Sequence, residues 1–118
     1  MTKETISAYL NWYRTKNQEY WWAWEVVDNM TSPNDLPFIF KLIDSCLNDA
    51  EIAYVAAGPL SDLISKHHLE IKDTLDKVIR KKEHMRKAIQ AIIFQRNTPE
   101  RKTLEELLLK YGLHYASL

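Results

Sequence analysis

The sequence predicts an all-α fold, and three observations lead to that prediction. Apolar residues recur at spacings of three and four along most of the 118-residue chain, as they do on one face of a helix. Residues that favour helix starts precede these stretches. The chain contains only two glycines and four prolines, which disfavours a β-sandwich with its many turns. We expect one domain over residues 1–118, with six to eight short helices in antiparallel pairs that form either an irregular bundle or a HEAT-like α-α stack.

The first two predicted helices are rich in aromatic residues. Thr2 or Thr5 can cap the first helix, which is expected to end near Arg14. Asn17 can cap the second helix, which is expected to end near Met30. A Thr-Ser-Pro-Asn sequence follows, and this composition is typical of a turn.

The third and fourth predicted helices begin at Asp35 and Asn48, which are both favourable N-cap residues. Gly58 is expected to close the fourth helix and Pro59 to open a fifth, because glycine favours helix ends and proline favours the first helical turn. The fifth helix is expected to end near His67. The chain is therefore predicted to break at Gly58.

Residues 70–95 carry a helical pattern with no clear interruption. They form either two helices, over about 70–82 and 84–95, or one bent helix, because the Arg-Lys-Lys-Glu sequence at the junction contains no helix breaker. The last helix is predicted to begin at Pro99 and to stop at Gly112.

The formal net charge is zero, but the charges are unevenly distributed. Residues 1–65 contain four basic and nine acidic residues, whereas residues 66–118 contain twelve basic and seven acidic ones. Such asymmetry is typical either of a protein with a charged partner or of two halves that attract each other. Both interpretations are open at this point.

No catalytic, metal or cofactor site is predicted. Cys46 is the only cysteine and lies on an apolar helical stripe, as a small core residue does. The adjacent His67 and His68 point about 100° apart on a helix, so they do not share a face on which to bind a metal. The sequence contains no glycine-rich phosphate loop and no Gly-x-Ser-x-Gly motif. We expect a protein without enzymatic activity, cofactor or small-molecule substrate.

The sequence also predicts a cytoplasmic location. It contains no run of about 18 apolar residues that would span a membrane. The first residues include Glu4 and no apolar segment, so we expect no signal peptide. A lone cysteine excludes an internal disulfide and is typical of a reducing compartment.

Tryptophan is concentrated near the N-terminus, where Trp-Trp-Ala-Trp-Glu occupies residues 21–25. Trp21 and Trp24 share one helical face and are expected in the core. Trp22 points elsewhere and is the best candidate for an exposed aromatic residue in a protein-binding surface. Acids and aromatic residues of the same half complete the predicted partner-binding set: Glu19, Tyr20, Trp22, Asp28, Asp44 and Asp49.

A basic run over residues 72–87 supports an alternative function. Lysine and arginine are dense enough there to bind the phosphates of a nucleic acid. Acidic residues are interleaved with them, however, and Asp73 and Lys77 have the spacing of a favourable helical ion pair. We therefore favour a solvated helix with internal salt bridges and regard a nucleic-acid partner as the less favoured hypothesis.

Two motifs resemble those of a family of small helical bacterial proteins of unknown function. The first is Trp-Ala-Trp-Glu at residues 22–25, and the second is Ala-Ala-Gly-Pro-Leu-Ser-Asp-Leu at residues 56–63, where Ser61 replaces the Glu of the family motif. The resemblance covers about residues 20–95 and leaves out the C-terminal helix. In size and style such proteins are similar to the immunity proteins encoded beside polymorphic or contact-dependent inhibition toxins.

The paired motifs suggest a structural role for Trp24, Glu25, Gly58, Pro59 and Asp62. A helix that starts at Pro59 has Gly58 at its cap position, and glycine offers no side-chain acceptor to the open amides. Glu25 from a neighbouring helix can supply that acceptor, and Asp62 can help to orient the turn. We predict that Glu25 is at least partly buried and accepts a hydrogen bond from a backbone amide near Gly58.

Together these observations predict a binding protein without enzymatic activity. The resemblance implies an immunity protein that neutralises a co-encoded toxin. The acidic N-terminal half suits the basic active-site cleft of a nuclease, so a nuclease toxin is the expected partner. The alternatives are a helical protein-interaction module with another partner and a nucleic-acid binder that uses residues 72–87.

Overall fold

The computed structural model describes residues 2–115 and confirms the all-α prediction for them. Seven α-helices follow one another in this range, with no strand between them. Short 3-10 turns at Gln18–Tyr20 and Pro33–Asp35 lead into the second and third helices, and a π turn at Ala56–Leu60 joins the fourth to the fifth. The helices are α1 (Thr2–Thr15), α2 (Trp21–Asp28), α3 (Leu36–Asp44), α4 (Asp49–Val55), α5 (Ser61–Lys81), α6 (Glu83–Gln90) and α7 (Pro99–Lys110).

Most of the predicted helix starts are confirmed. The side-chain oxygens of Asn17, Asn48 and Thr98 accept hydrogen bonds from amides of the turn that follows, at 3.1, 2.9 and 3.4 Å. α3 begins directly after Asp35, as predicted, but the Asp35 side chain accepts no hydrogen bond from α3, because the chain begins to turn earlier. Ser32 caps the 3-10 turn, and the Asp35 carboxylate accepts a hydrogen bond from the Ser32 amide at 3.1 Å, which completes a capping box.

The predicted break at Gly58 is wrong. The chain passes from α4 through the π turn into α5 with helical backbone angles at both junctions, so no new helix starts at Pro59. Proline lacks the amide hydrogen, and its ring crowds the preceding turn; the wider π geometry accommodates both effects. Gly58 has no Cβ to clash with the proline ring, so the residue before Pro59 stays helical.

α5 is longer than predicted because the helices expected over residues 60–67 and 70–82 are joined. His67, with φ −134° and ψ 22°, bends the helix at the point where the sequence predicts a boundary. A complete break follows at Lys82, whose extended angles of φ −119° and ψ 115° separate α5 from α6. Residues 70–95 therefore contain a break rather than one bent helix, and α6 is shorter than predicted.

α6 lies at the centre of the fold. It packs against α3, α4, α5 and α7, while α1 packs mainly on α2. In a HEAT-like stack each repeat contacts only its neighbours, so the arrangement is an irregular bundle. The largest fully buried side chains come from α3, α4, α5, α6 and the segments that join or follow them: Ile39, Leu42, Ile43, Ile52, Leu60, Leu63, Ile64, Leu75, Ile79, Met85, Ile89 and Ile92.

Candidate functional site

The tryptophans of α2 lie in different surroundings. The ring centroid of Trp21 is 5.0 Å from that of Trp12 in an edge-to-face contact and 4.5 Å from that of Trp24 in a stacked one. Trp21 and Trp24 therefore share a face, as predicted. Both are half-buried rather than fully buried, and Trp24 packs against the core, so the predicted core position is confirmed only in part. Trp24 remains partly open because it borders a cleft.

This cleft is where the two sequence motifs meet. It has a volume of about 290 Å³. Trp24 and Asp28 line it from α2, and Gly58, Pro59 and Asp62 line it from the π turn and the start of α5. The two motifs are about thirty residues apart in the sequence, and the fold brings them to one cavity. It is termed the motif cleft below.

Glu25 does not line the motif cleft, and its predicted role is wrong. The Glu25 side chain is exposed rather than partly buried. The amides near Gly58 belong to a continuous helical rod, so there is no helix start at Pro59 that needs an acceptor from another helix. Asp28, which follows about one turn later on α2, lines the cleft instead.

Two tyrosines that the sequence analysis did not assign to a site complete the cleft. Tyr9 of α1 is only 3% exposed, and its hydroxyl oxygen lies 4.0 Å from the position that a Cβ on Gly58 would occupy. Burial above all, and then the neighbouring Tyr54, raise the pKa of Tyr9, so its hydroxyl keeps its proton. The position of Tyr54 next to the second motif is a sequence signal for a place in this site. Tyr9 lies on the apolar stripe of α1, and no sequence signal distinguishes it from a core residue.

A family model matches residues 11–110, a range that includes both motifs. The chain belongs to the family of unknown function DUF6869. The match is wider than the predicted range of residues 20–95 and includes α7, which lies outside that range. No curated protein and no solved structure matches the chain.

In this DUF6869 member, α2 also carries exposed apolar and acidic side chains on its side away from the core. Trp22 is 47% exposed and Val26 is 42% exposed, and they lie about one turn apart. Glu25 of α2 and Glu19 of the preceding 3-10 turn are exposed close to them in the sequence. These four residues are termed the outer face of α2. The predicted exposure of Trp22 is confirmed, whereas Tyr20 is half-buried and packs against the core.

Two of the predicted partner-binding acids are paired within the fold. The Asp44 carboxylate lies 3.8 Å from the Lys82 ammonium, and the Asp49 carboxylate lies 3.0 Å from the Lys87 ammonium. Each pair joins the acidic N-terminal half to the basic C-terminal half. Part of the charge asymmetry therefore produces ion pairs between the two halves of the protein. Asp44 and Asp49 are accordingly weaker candidates for partner binding than the acids of α2.

The basic run over residues 72–87 also takes part in the fold. The guanidinium of Arg86 donates hydrogen bonds to the carbonyl oxygens of Ile79 and Arg80, at 2.9 and 2.6 Å, and so caps the end of α5. Two lysines of the run form the ion pairs just described. Fewer cations are left for phosphate groups, which weakens the nucleic-acid alternative.

The histidines and the cysteine make local contacts. His67 Nε2 lies 2.8 Å from the Thr31 carbonyl oxygen, and His68 Nδ1 lies 2.7 Å from the Thr103 hydroxyl. Burial raises the pKa of the Cys46 thiol to about 12, so the thiol stays protonated. Within the described part of the chain, no three His, Cys, Asp or Glu side chains cluster closely enough to hold a metal ion. None of the helices described there has the length and apolar character to cross a membrane.

Proposed function

We propose that this protein is a non-enzymatic binding protein that neutralises a co-encoded bacterial toxin, as immunity proteins do. The observation that supports the proposal most directly is the exposure of Trp22, at 47%, on the outer face of α2. Burial of a tryptophan is strongly favourable, so an exposed one is available to a partner. Tryptophan is also enriched among the few residues that dominate protein–protein binding energies.

The acids on the outer face of α2 define the kind of partner that fits. Glu19 and Glu25 are exposed beside Trp22 and Val26, so an apolar centre has an acidic border. A basic surface complements this face, because opposite charges speed the encounter while a buried aromatic residue slows release. Nuclease toxins have basic clefts for nucleic acid. A nuclease whose active-site cleft is covered by the outer face of α2 is therefore the favoured partner.

Co-expression tests the proposal directly. Cells that express the toxic domain encoded by the neighbouring gene are expected to survive only when this protein is also expressed. Trp22→Ala is expected to speed dissociation of the purified complex by about 30-fold, which corresponds to about 2 kcal/mol. Leu109→Ala is the matched control, because Leu109 is a large apolar residue that is 82% exposed on α7. That control is expected to leave the dissociation rate unchanged.

A charge reversal on the same face tests the electrostatic part of the proposal. Glu19→Lys is expected to slow association and to reduce its dependence on salt, while it leaves dissociation nearly unchanged. Lys77→Glu on the basic run is the reversal of opposite sign and is expected to have no such effect. Equal killing with and without the protein would remove the immunity proposal and leave a binding module with a different partner.

A further inference from the structure

We propose that the motif cleft binds the guanidinium group of an arginine side chain that a partner protein presents. The inference depends on the proposed function in one respect, which is that a protein partner must supply the arginine side chain. Its basis is the combination of unpaired carboxylates, aromatic rings and a buried hydroxyl group around one cavity of about 290 Å³.

Two carboxylates at the cleft have no ion-pair partner among the residues that the structure describes. Asp28 lines the cavity from α2 and Asp62 lines it from α5. Neither side chain forms an ion pair or a hydrogen bond with another of the residues that the structure describes. Asp44 and Asp49, by contrast, are each paired with a lysine. The cleft thus carries negative charge on two sides, and no cation among the described residues lies within ion-pair distance of either carboxylate.

Aromatic rings supply the second part of the lining. Trp24 and Tyr54 are both half-buried and both border the cavity, so part of each side chain stays accessible. The face of an aromatic ring attracts cations, and a planar guanidinium group stacks on such a face more readily than a compact ammonium group. The rings therefore favour a cationic guest, and in particular a flat one.

A cation of the protein itself already occupies the same aromatic surface outside the cleft. The Lys16 ammonium lies 4.9 Å from the ring centroid of Tyr13, 5.5 Å from that of Tyr54 and 5.7 Å from that of Trp12. Lys16 reaches this position with a φ of 56°, which is uncommon for a residue other than glycine. Tyr54 belongs both to this cation site and to the motif cleft. This contact shows, independently of the acids, that Tyr54 attracts a cation.

The remaining polar group of the cleft suits a guanidinium donor. Tyr9 is 3% exposed, and its hydroxyl oxygen can accept a hydrogen bond from an N–H group. A guanidinium group has five such donors in a fixed plane, so it can form two hydrogen bonds with each carboxylate and one with the hydroxyl, whereas an ammonium group with three donors cannot. Trp24 and Asp28 lie on the same short helix as Trp22, so a partner that covers the outer face of α2 can extend an arginine into the cleft.

Nuclear magnetic resonance on the isolated protein tests this inference. The probe is a capped Gly-Arg-Gly tripeptide, and its counterpart contains citrulline, which has nearly the same shape without the charge. The arginine peptide is expected to shift the indole N–H resonance of Trp24 in a saturable way and to leave that of Trp22 unchanged. The citrulline peptide is expected to shift neither. Equal effects of the two peptides would overturn the inference.

Variants locate the site and identify the ligand. Combined Asp28→Asn and Asp62→Asn substitutions are expected to weaken binding of the arginine peptide by about fivefold or more, since exposed charge pairs contribute up to about 1 kcal/mol each. Combined Asp73→Asn and Glu83→Gln substitutions are the matched control, because they remove two exposed negative charges outside the cleft, and they are expected to leave binding unchanged. Unchanged binding in the double variant would overturn the inference, as would tenfold tighter binding of free agmatine or of a lysine peptide.

The two proposals fail in different experiments. Peptide binding without protection from the neighbouring toxin domain would contradict the immunity function, and the cleft would still be a guanidinium site for another protein. Protection that depends on Trp22, without any response of Trp24 to the arginine peptide, would contradict the cleft assignment alone.

Discussion

Arg14 forms a two-pronged ion pair with Glu51 that joins the end of α1 to the first turn of α4. The Nε and Nη2 atoms of Arg14 lie 2.6 and 2.9 Å from the two carboxylate oxygens. Glu51 is only 3% exposed, and its carboxylate also accepts a hydrogen bond from the Leu47 amide at 2.8 Å. A buried carboxylate is stable in its charged form only when such partners compensate the loss of water. Arg14 therefore connects two helices that are distant in the sequence.

Replacement of Arg14 is expected to destabilise the protein. Arg14→Met leaves the buried carboxylate of Glu51 with one amide donor and should lower the free energy of unfolding by about 2–3 kcal/mol. This is less than the loss of about 3–5 kcal/mol typical of a fully buried pair, because the Arg14 side chain is 32% exposed. Urea denaturation measures the change. Arg96→Met is the control, since Arg96 is exposed and forms no ion pair with another described residue. If Arg14→Met lowered the free energy of unfolding by less than about 0.5 kcal/mol, the prediction would be contradicted.

Acid is expected to remove part of the stability through Glu51. The hydrogen bonds from Arg14, above all, hold the pKa of Glu51 below its ordinary value of 4.5. A carboxyl group with a lower pKa in the folded state stabilises the fold above its unfolded pKa, and the contribution disappears as the pH falls from about 4.5 through the folded pKa. Denaturation curves recorded at decreasing pH should show this loss. The Glu51→Gln variant should be less stable than the original protein at neutral pH and should lose less stability on acidification. If the free energy of unfolding fell equally steeply with pH in both proteins, this prediction would be contradicted.

Two tryptophans of α2 are expected to differ in their effect on stability. Trp24→Ala should lower the free energy of unfolding by about 2–3 kcal/mol, because the Trp24 ring stacks on Trp21 at a centroid distance of 4.5 Å. This is less than the loss of about 3–5 kcal/mol typical of a fully buried aromatic residue, because Trp24 is only half-buried. Trp22→Ala should change the free energy of unfolding by less than about 0.5 kcal/mol, since its side chain is 47% exposed. Chemical denaturation of both variants checks the pair. Similar costs at the two positions would mean that the faces of α2 are assigned wrongly.

Arg86 is expected to contribute to folding rather than to phosphate binding. Arg86→Ala removes the donors that cap the carbonyl groups of Ile79 and Arg80 and should cost about 1–2 kcal/mol. Lys87→Ala removes only an exposed ion pair with Asp49 and should cost less than about 1 kcal/mol. Thermal and urea denaturation compare the two variants. Strong, salt-sensitive binding of duplex DNA that is lost in Lys87→Ala would instead support the nucleic-acid alternative.

Most helix starts could be predicted because their physical cause is local. Asn17, Asn48 and Thr98 each accept a hydrogen bond from an amide two or three residues ahead, and this interaction requires only the neighbouring sequence. The apolar spacing of three and four likewise reflects the helical repeat itself. The kink at His67 also falls where the sequence predicts a boundary, although the two helices stay joined there.

The Gly-Pro sequence does not break the helix as predicted, because its conformation depends on distant contacts. Pro59 and Leu60 are buried against the rest of the bundle, and that burial offsets the hydrogen bond that proline cannot make. A short sequence signal for a helix break cannot include this energy. The predicted role of Glu25 failed with it, because that role required an open helix start at Pro59.

The sequence by itself determined the helical class of this protein, most of its helix starts and which residues of α2 share a face, because hydrogen bonds and side-chain spacing within one helix set all three. Only the tertiary structure decided which faces meet. Asp28 and Asp62 belong to helices that are far apart in the sequence, and Tyr9 belongs to a third helix. They line one cleft because burial of the core side chains sets how α1, α2 and α5 pack. Apolar burial has no direction and does not depend on separation along the chain, so no local pattern encodes which partners it brings together.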